Sequence, residues 1–99
     1  SRADRVTFQY NSAYNNRAKG GKDGGGFDLD GGTTNSVIQY NWSANNDGNG
    51  YAILSYGGAP ASTNNIIRYN ISQNDGRNFY YASLAVGNNS GKLRDLYIY

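Results

Sequence analysis

The chain of 99 residues contains no histidine, no cysteine and no methionine. Those absences exclude disulfides, thiolate nucleophiles, zinc held by cysteine or histidine, and every histidine-based triad. Lack of cysteine is compatible with secretion. No apolar run approaches the ~18 residues that a membrane span needs, and no signal peptide is visible in a chain that starts with Ser1. The charge is mild, nine basic against seven acidic residues for a net of +2. It is also scattered, which argues against nucleic acid or a membrane surface as partner. Proline occurs once.

Glycine (14 residues), tyrosine (ten) and asparagine are plentiful. Polarity of this order suggests disorder, but tyrosines and β-branched residues recur in short organised runs, as strands require. The recurrence has a period. Residues 35–51 read NSVIQYNWSANNDGNGY and residues 64–80 read NNIIRYNISQNDGRNFY. Tyr-Asn pairs stand at Tyr10-Asn11, Tyr40-Asn41 and Tyr69-Asn70, and the chain ends on Tyr99, so the intervals are 30, 29 and 30. Two residues before each tyrosine stand Phe8, Ile38, Ile67 and Tyr97; just before it stand Gln9, Gln39, Arg68 and Ile98. With a side-chain period of two, the Phe8 and Tyr10 columns share one face, taken as the inner one, and the Gln9 column points out. A second strand follows each Asn/Asp/Gly cluster, at 50–57 and 81–87, with Tyr51 and Tyr81 30 apart; its first copy is GFDLDGG at 26–32.

No segment shows a helical period over ten residues. Asp-Gly and Asn-Gly steps permit a hairpin meander, but a meander does not need the same residue type every thirty positions, and a stacked solenoid does. The spacing predicts an all-β fold, a right-handed parallel β-helix of roughly three coils of about 30 residues. Residues 1–99 then form a single segment, expected to be an incomplete piece of a longer solenoid, since end coils without caps expose apolar surface. Asn11, Asn41 and Asn70 are expected at the bends, where asparagine tolerates a left-handed backbone and its amide can bond to the next coil. The sequons at Asn41, Asn70 and Asn88 are by-products of that composition.

GGGFDLDGG, the two YNxS turns with their NDG clusters, and GYAILSYGG resemble the pectate-lyase-like right-handed β-helix superfamily over nearly the whole chain. The resemblance implies an extracellular, secreted or cell-surface protein that acts on or binds polysaccharide or oligosaccharide, and it specifies the fold better than the reaction. A narrower comparison is with family 9 pectate lyases, in which Asp-Gly-Phe and Asp-Asp-Gly segments supply calcium ligands and a lysine acts as base. Gly25-Gly26-Phe27 and Asn46-Asp47-Gly48 occupy the similar places here, with glycine for the first acid and one acid of the second pair kept, and no lysine follows Phe27.

The residues themselves offer three constellations. In FDLD, Phe27 and Leu29 facing inward put Asp28 and Asp30 outward, ~7 Å apart at ~3.3 Å per residue. Two carboxylates at that separation suit inverting glycoside hydrolysis, which needs ~6.5–9.5 Å; they also suit calcium, or a structural role bonding the N–H groups of the glycine loops. Asp47 and Asp75, with Asp23 one coil earlier, are candidate calcium ligands on a shared edge, where a cation would relieve their repulsion; the alternative is plain turn chemistry. A β-eliminating lyase needs a base and a cation for the uronate carboxylate. Lys19, Lys22 and Arg77 share the loop class that could supply them, with Arg77 as a bidentate clamp. Among the tyrosines of the second strand, Tyr51, Tyr56, Tyr80 and Tyr81, Tyr56 is the candidate sugar contact. The alternative to an enzyme is a non-catalytic glycan-binding or structural scaffold.

Overall fold

The computed structural model describes residues 3–18, 23–78, 81–89 and 91–99. The fold is all-β, with no helix among the described residues. Strands β1 (Ala3–Asp4), β2 (Thr7–Gln9), β3 (Ser12–Tyr14) and β4 (Phe27–Leu29) come first. β5 (Thr33–Thr34), β6 (Val37–Gln39), β7 (Trp42–Ala44) and β8 (Tyr51–Ser55) follow. β9 (Ser62–Arg68), β10 (Ile71–Gln73), β11 (Leu84–Asn88) and β12 (Leu93–Ile98) are the last. They form three separate sheets: one of six strands (β1, β5, β9, β6, β2 and β12), one of three (β3, β7, β10) and one of three (β4, β8, β11).

Every pairing is parallel. Phe8 sits beside Ile38 and Ile38 beside Ile67. The next residue in that column is Ile98, not Tyr97, which lies beside Ile66. The last interval is thus one residue longer than the tyrosine spacing suggests. Tyr51 registers with Phe27 on one side and with Leu84 on the other, not with Tyr81. The unequal Asn/Gly loops between β3 and β4, β7 and β8, and β10 and β11, together with the unequal connections between β8 and β9 and between β11 and β12, absorb these differences.

The chain turns from sheet to sheet at residues with positive φ, and these recur in rows. Tyr10, Tyr40 and Tyr69 have φ of 58°, 54° and 54°; Asn15, Asn45 and Asn74 have 57°, 54° and 54°; Arg5, Asn35, Asn64 and Asp95 have 55°, 53°, 58° and 51°. At the first bend the left-handed residue is therefore the tyrosine, and the asparagine after it does a different job. Its side chain turns inward and replaces a missing strand carbonyl. Asn41 Oδ1 accepts from the N–H of Asn11, and Asn70 Oδ1 from that of Asn41, both at 3.0 Å. The side-chain amides of Asn11 and Asn41 donate to the same oxygens at 3.1 Å. The other two bends repeat the device: Asn16 N–H donates to Asn46 Oδ1, Asn46 N–H to Asp75 Oδ1, and Ser36 N–H to Asn65 Oδ1, at 3.0–3.1 Å. Each bend interrupts the backbone pairing, and a short polar side chain restores it.

The interior is a narrow apolar cluster of Leu29, Ile38, Tyr51, Ile53 and Ile67, with Phe27, Leu93 and Leu96 against it. It is bordered by buried Ser36, Asn41, Ser43, Asn46, Ser62 and Asn65. Among the described residues no buried side-chain polar atom lacks a partner, as burial of polar groups demands. Tyr51 belongs to this core: its hydroxyl reaches the carbonyls of Asn41 and Ile71 at 3.0 and 2.8 Å, and burial pushes its pKa up. The Tyr10 row is exposed, Tyr10 at 75 %. The expectation that it points inward fails because a left-handed residue breaks the strand's alternation.

Arg5 is the long side chain in a row otherwise held by Asn35, Asn64 and Asp95. Its ion pair with Asp4 joins side chains 81 % and 45 % exposed, an arrangement of little worth. Arg5→Asn should gain ~0.5 kcal/mol, a fraction of the ~1–2 kcal/mol that left-handed backbone costs an ordinary residue. Urea unfolding checks the sign; a loss would show that the ion pair outweighs the backbone term.

Candidate functional site

β4 carries Asp28 between two inward residues, Phe27 stacked on Tyr51 (ring centroids 5.3 Å) and Leu29 fully covered. This alternation turns Asp28 outward, into a cleft of about 360 Å³. Asp23, Asp28, Asp30, Asn49 and Tyr81 supply its polar lining, and Phe27, Ala52 and Leu54 its apolar lining. The close approach of glycines shapes the rim: a Cβ on Gly25 would come within 2.9 Å of the Asn49 carbonyl, and one on Gly48 would collide with the Asp23 carbonyl.

Asp28 is pushed up to about 6, first by burial, then by the Asp30 charge and the Asp23 charge. Asp30 is held in place: its carboxylate accepts from Gly31 N–H at 2.8 Å, and its carbonyl accepts from Thr33 Oγ1 at 2.7 Å. Asp23 is fixed from the far side, its N–H donating to the Tyr81 hydroxyl at 2.9 Å. Asn49 Oδ1 accepts from Ala82 N–H at 2.9 Å, which ties the segment before β11 to the loop before β8. Asn49 and Tyr81 had no distinguishing signal as site residues, because their partners lie 33 and 58 positions away.

The other candidates divide. Asp23 joins the Asp28 and Asp30 cleft. The backbone links the Asp-Gly steps from layer to layer, Gly48 N–H donating to the Gly24 carbonyl at 3.0 Å and Gly76 N–H to the Gly48 carbonyl at 2.8 Å, but Asp47 and Asp75 do not line the cleft and their carboxylates take separate partners. Asp47 accepts from Ala18 N–H at 3.1 Å and lies 3.6 Å from Arg17 Nη1. Asp75 occupies the inward position below Asn46 and also accepts from Ser72 Oγ at 2.6 Å. The two copies are offset by one residue, so Asp75 matches Asn46 rather than Asp47. Among the described residues no group of three acidic side chains is close enough together to hold a metal ion. Arg77 donates its N–H to the Asn46 carbonyl at 3.2 Å and does not line the cleft. Tyr56 lies just outside, its ring where a Cβ on Gly31 would come within 2.8 Å. Lys19, Lys22 and Tyr80 fall outside the described residues. No family model, curated protein or solved structure matches the chain.

The raised pKa of Asp28 has a consequence for stability. The folded chain holds the proton more tightly than the unfolded chain, so folding is penalised as pH rises through the window from about 3.8 to about 6. Asp28→Asn removes the penalty. The variant should match the parent below pH 4 and exceed it by about 1 kcal/mol above pH 7. That figure discounts the ~3 kcal/mol that a rise from 3.8 to about 6 would carry for solvent reaching an exposed carboxyl. Equal stability gaps at pH 4 and pH 7 would refute it.

Proposed function

We propose that the chain is a stretch of right-handed parallel β-helix of the pectate-lyase-like kind, extracellular, whose Asp28 cleft cleaves glycosidic bonds in a polysaccharide. The all-parallel pairing of residues about one repeat apart supports the solenoid reading, and the linked amides of Asn11, Asn41 and Asn70 are then its asparagine ladder. The observation that carries the activity is Asp28: a carboxyl in a cleft, with a pKa raised to about 6 and a second carboxylate two residues on, just past the end of β4. One acid whose pKa is raised toward neutrality beside one whose carboxylate is held by a backbone N–H is the division of labour that glycoside hydrolysis uses. Asp28 is the proton donor to the leaving oxygen, and Asp30 the base that activates water.

Hydrolysis is favoured over elimination. Elimination needs a cation beside the uronate carboxylate, and among the described residues the cleft is lined by three carboxylates and no lysine or arginine. The test is to incubate the protein with a polysaccharide panel while following both reducing ends and the ultraviolet absorbance of unsaturated sugars. New reducing ends without absorbance support hydrolysis; absorbance overturns it; neither signal on any substrate removes the catalytic reading and leaves a binding scaffold, which the exposed tyrosines of the Tyr10 row also suit.

A further inference from the structure

At the corner where β2, β6 and β9 give way to β3, β7 and β10, four tyrosines stand one above another. The N–H of Tyr10 donates to the Tyr40 carbonyl, that of Tyr40 to Tyr69 and that of Tyr69 to Tyr99, at 3.0, 3.1 and 2.9 Å. The backbone therefore holds the row in register. Positive φ at the first three takes their side chains out of the strand alternation, and all four are exposed, between 47 and 75 %. Successive ring centroids lie 5.6, 5.5 and 5.5 Å apart. Tyr10 on Tyr40 and Tyr40 on Tyr69 are stacked, with interplanar angles of 12° and 28°. Tyr99 meets Tyr69 edge-on at 84°, and its hydroxyl accepts from Arg68 Nη1 at 3.1 Å.

An exposed phenol can lose one electron, with its hydroxyl proton passing to water. The neutral radical that remains shares its unpaired electron between the oxygen and the ortho ring carbons. Thiols and thioethers ordinarily absorb oxidising equivalents, and this chain has no cysteine and no methionine. The oxidisable side chains left are the tyrosines and the single Trp42. Two such radicals couple most readily when their ring faces meet, because the new carbon–carbon bond starts out perpendicular to both ring planes. The two stacked pairs meet that condition and the edge-on pair does not.

We infer that the row is a site of oxidative cross-linking, where a one-electron oxidant of the kind that a haem peroxidase forms with hydrogen peroxide joins Tyr40 to Tyr10 or to Tyr69 as dityrosine. Each of the two phenols gives up one electron and one proton, and one peroxide takes up both pairs to become two waters. A bond forms between one Cε of each ring. The proton on each of those carbons moves to its own phenol oxygen as the ring recovers aromaticity, so the chain loses two hydrogens in all. The rings then swing from stacked to edge-joined, which their exposure at the corner allows. The product ties positions 40 − 10 = 30 or 69 − 40 = 29 apart. Closing a loop of that length restrains the unfolded chain as a disulfide would, in a chain that has no cysteine. The Asp28 cleft takes no part, so failure of either reading leaves the other standing.

The full chain at low concentration is treated with a haem peroxidase and hydrogen peroxide, and the single-chain product is isolated under denaturing conditions. We expect dityrosine fluorescence, a mass lower by two hydrogens, and tryptic peptide 6–17 or 69–77 joined to 23–68. After refolding, the linked chain should melt about 10 °C or more above the parent. Tyr40→Phe keeps the ring, removes the phenol common to both stacked pairs and should cut the yield severalfold. Tyr97→Phe, at an exposed tyrosine outside the row, should leave the yield unchanged. If Tyr40→Phe folds poorly, Tyr10→Phe combined with Tyr69→Phe removes both partners instead. Oxidation in urea, which disperses the stack, should lose the preference for Tyr40. Dityrosine formed only between chains, an undiminished yield in these row variants, the same products folded and in urea, a linked chain that melts with the parent, or no dityrosine at all overturns the inference.

Discussion

Asn46→Ala should lower the stability of the fold by about 3–5 kcal/mol. Asn46 is fully buried. Its oxygen accepts from both the N–H and the side-chain amide of Asn16 at 3.0 and 2.8 Å. Its amide reaches the Ala13 carbonyl, Ser43 Oγ and Asp75 Oδ1 at 3.1, 2.9 and 2.8 Å. Alanine removes all of these at once and leaves two or three buried groups unpaired, each worth ~1–3 kcal/mol. A 99-residue domain with ~5–15 kcal/mol in hand would lose a large part of its margin. Asn74 is the control. Its amide also bonds across a repeat, to Asn45 Oδ1 at 2.8 Å, but on the exposed side. Asn74→Ala should change stability by less than ~1 kcal/mol, since water replaces an exposed partner. Thermal and urea unfolding of the pair would decide; equal losses would mean that burial of the polar rows is not what gives them their weight.

That contrast also marks what the sequence makes legible. The period of about thirty identifies an all-β chain with parallel strands, because only residues stacked on their own equivalents need to repeat by type. It does not separate the two kinds of repeated asparagine. Asn45 and Asn46 are adjacent and alike in letter, yet one adopts the left-handed bend with φ of 54° and the other is wholly buried. Tyr40 likewise reads as a core residue by alternation and is exposed, because its own positive φ ends the strand. The one-residue slips at Tyr97 and Asp75 come from loops whose lengths differ between copies, and letter matching cannot see which loop absorbs the difference. In the site, Asp28 and Asp30 are legible because the determinant is local, a strand alternation of two. Asp23, Asn49 and Tyr81 meet them through contacts between repeats, for which the sequence carries no local sign.

Asp28→Asn should reduce cleavage by ~10²–10⁴-fold, the usual contribution of a positioned proton donor. The same exchange leaves the fold intact or slightly more stable at neutral pH, because it removes a carboxylate whose ionisation the folded state disfavours. Loss of activity with a gain in stability is an outcome that a structural role for Asp28 cannot produce. The pH dependence gives an independent reading. A proton donor works only while protonated, so the parent's rate should fall as pH rises through about 6, the value to which burial, Asp30 and Asp23 lift Asp28. Asp30→Asn removes the like charge two residues away and so should draw the Asp28 titration downward, displaying the coupling between the pair. If Asp30 activates the water, the rate in that variant collapses at every pH; if Asp30 only tunes its neighbour, the rate survives and the alkaline limb moves to lower pH. Reducing-end release from pH 4 to pH 8 for the parent and both variants separates these outcomes. A parent that cleaves with no fall above pH 6, or an Asp28→Asn variant that cleaves as well as the parent, would end the assignment of Asp28 as the acid.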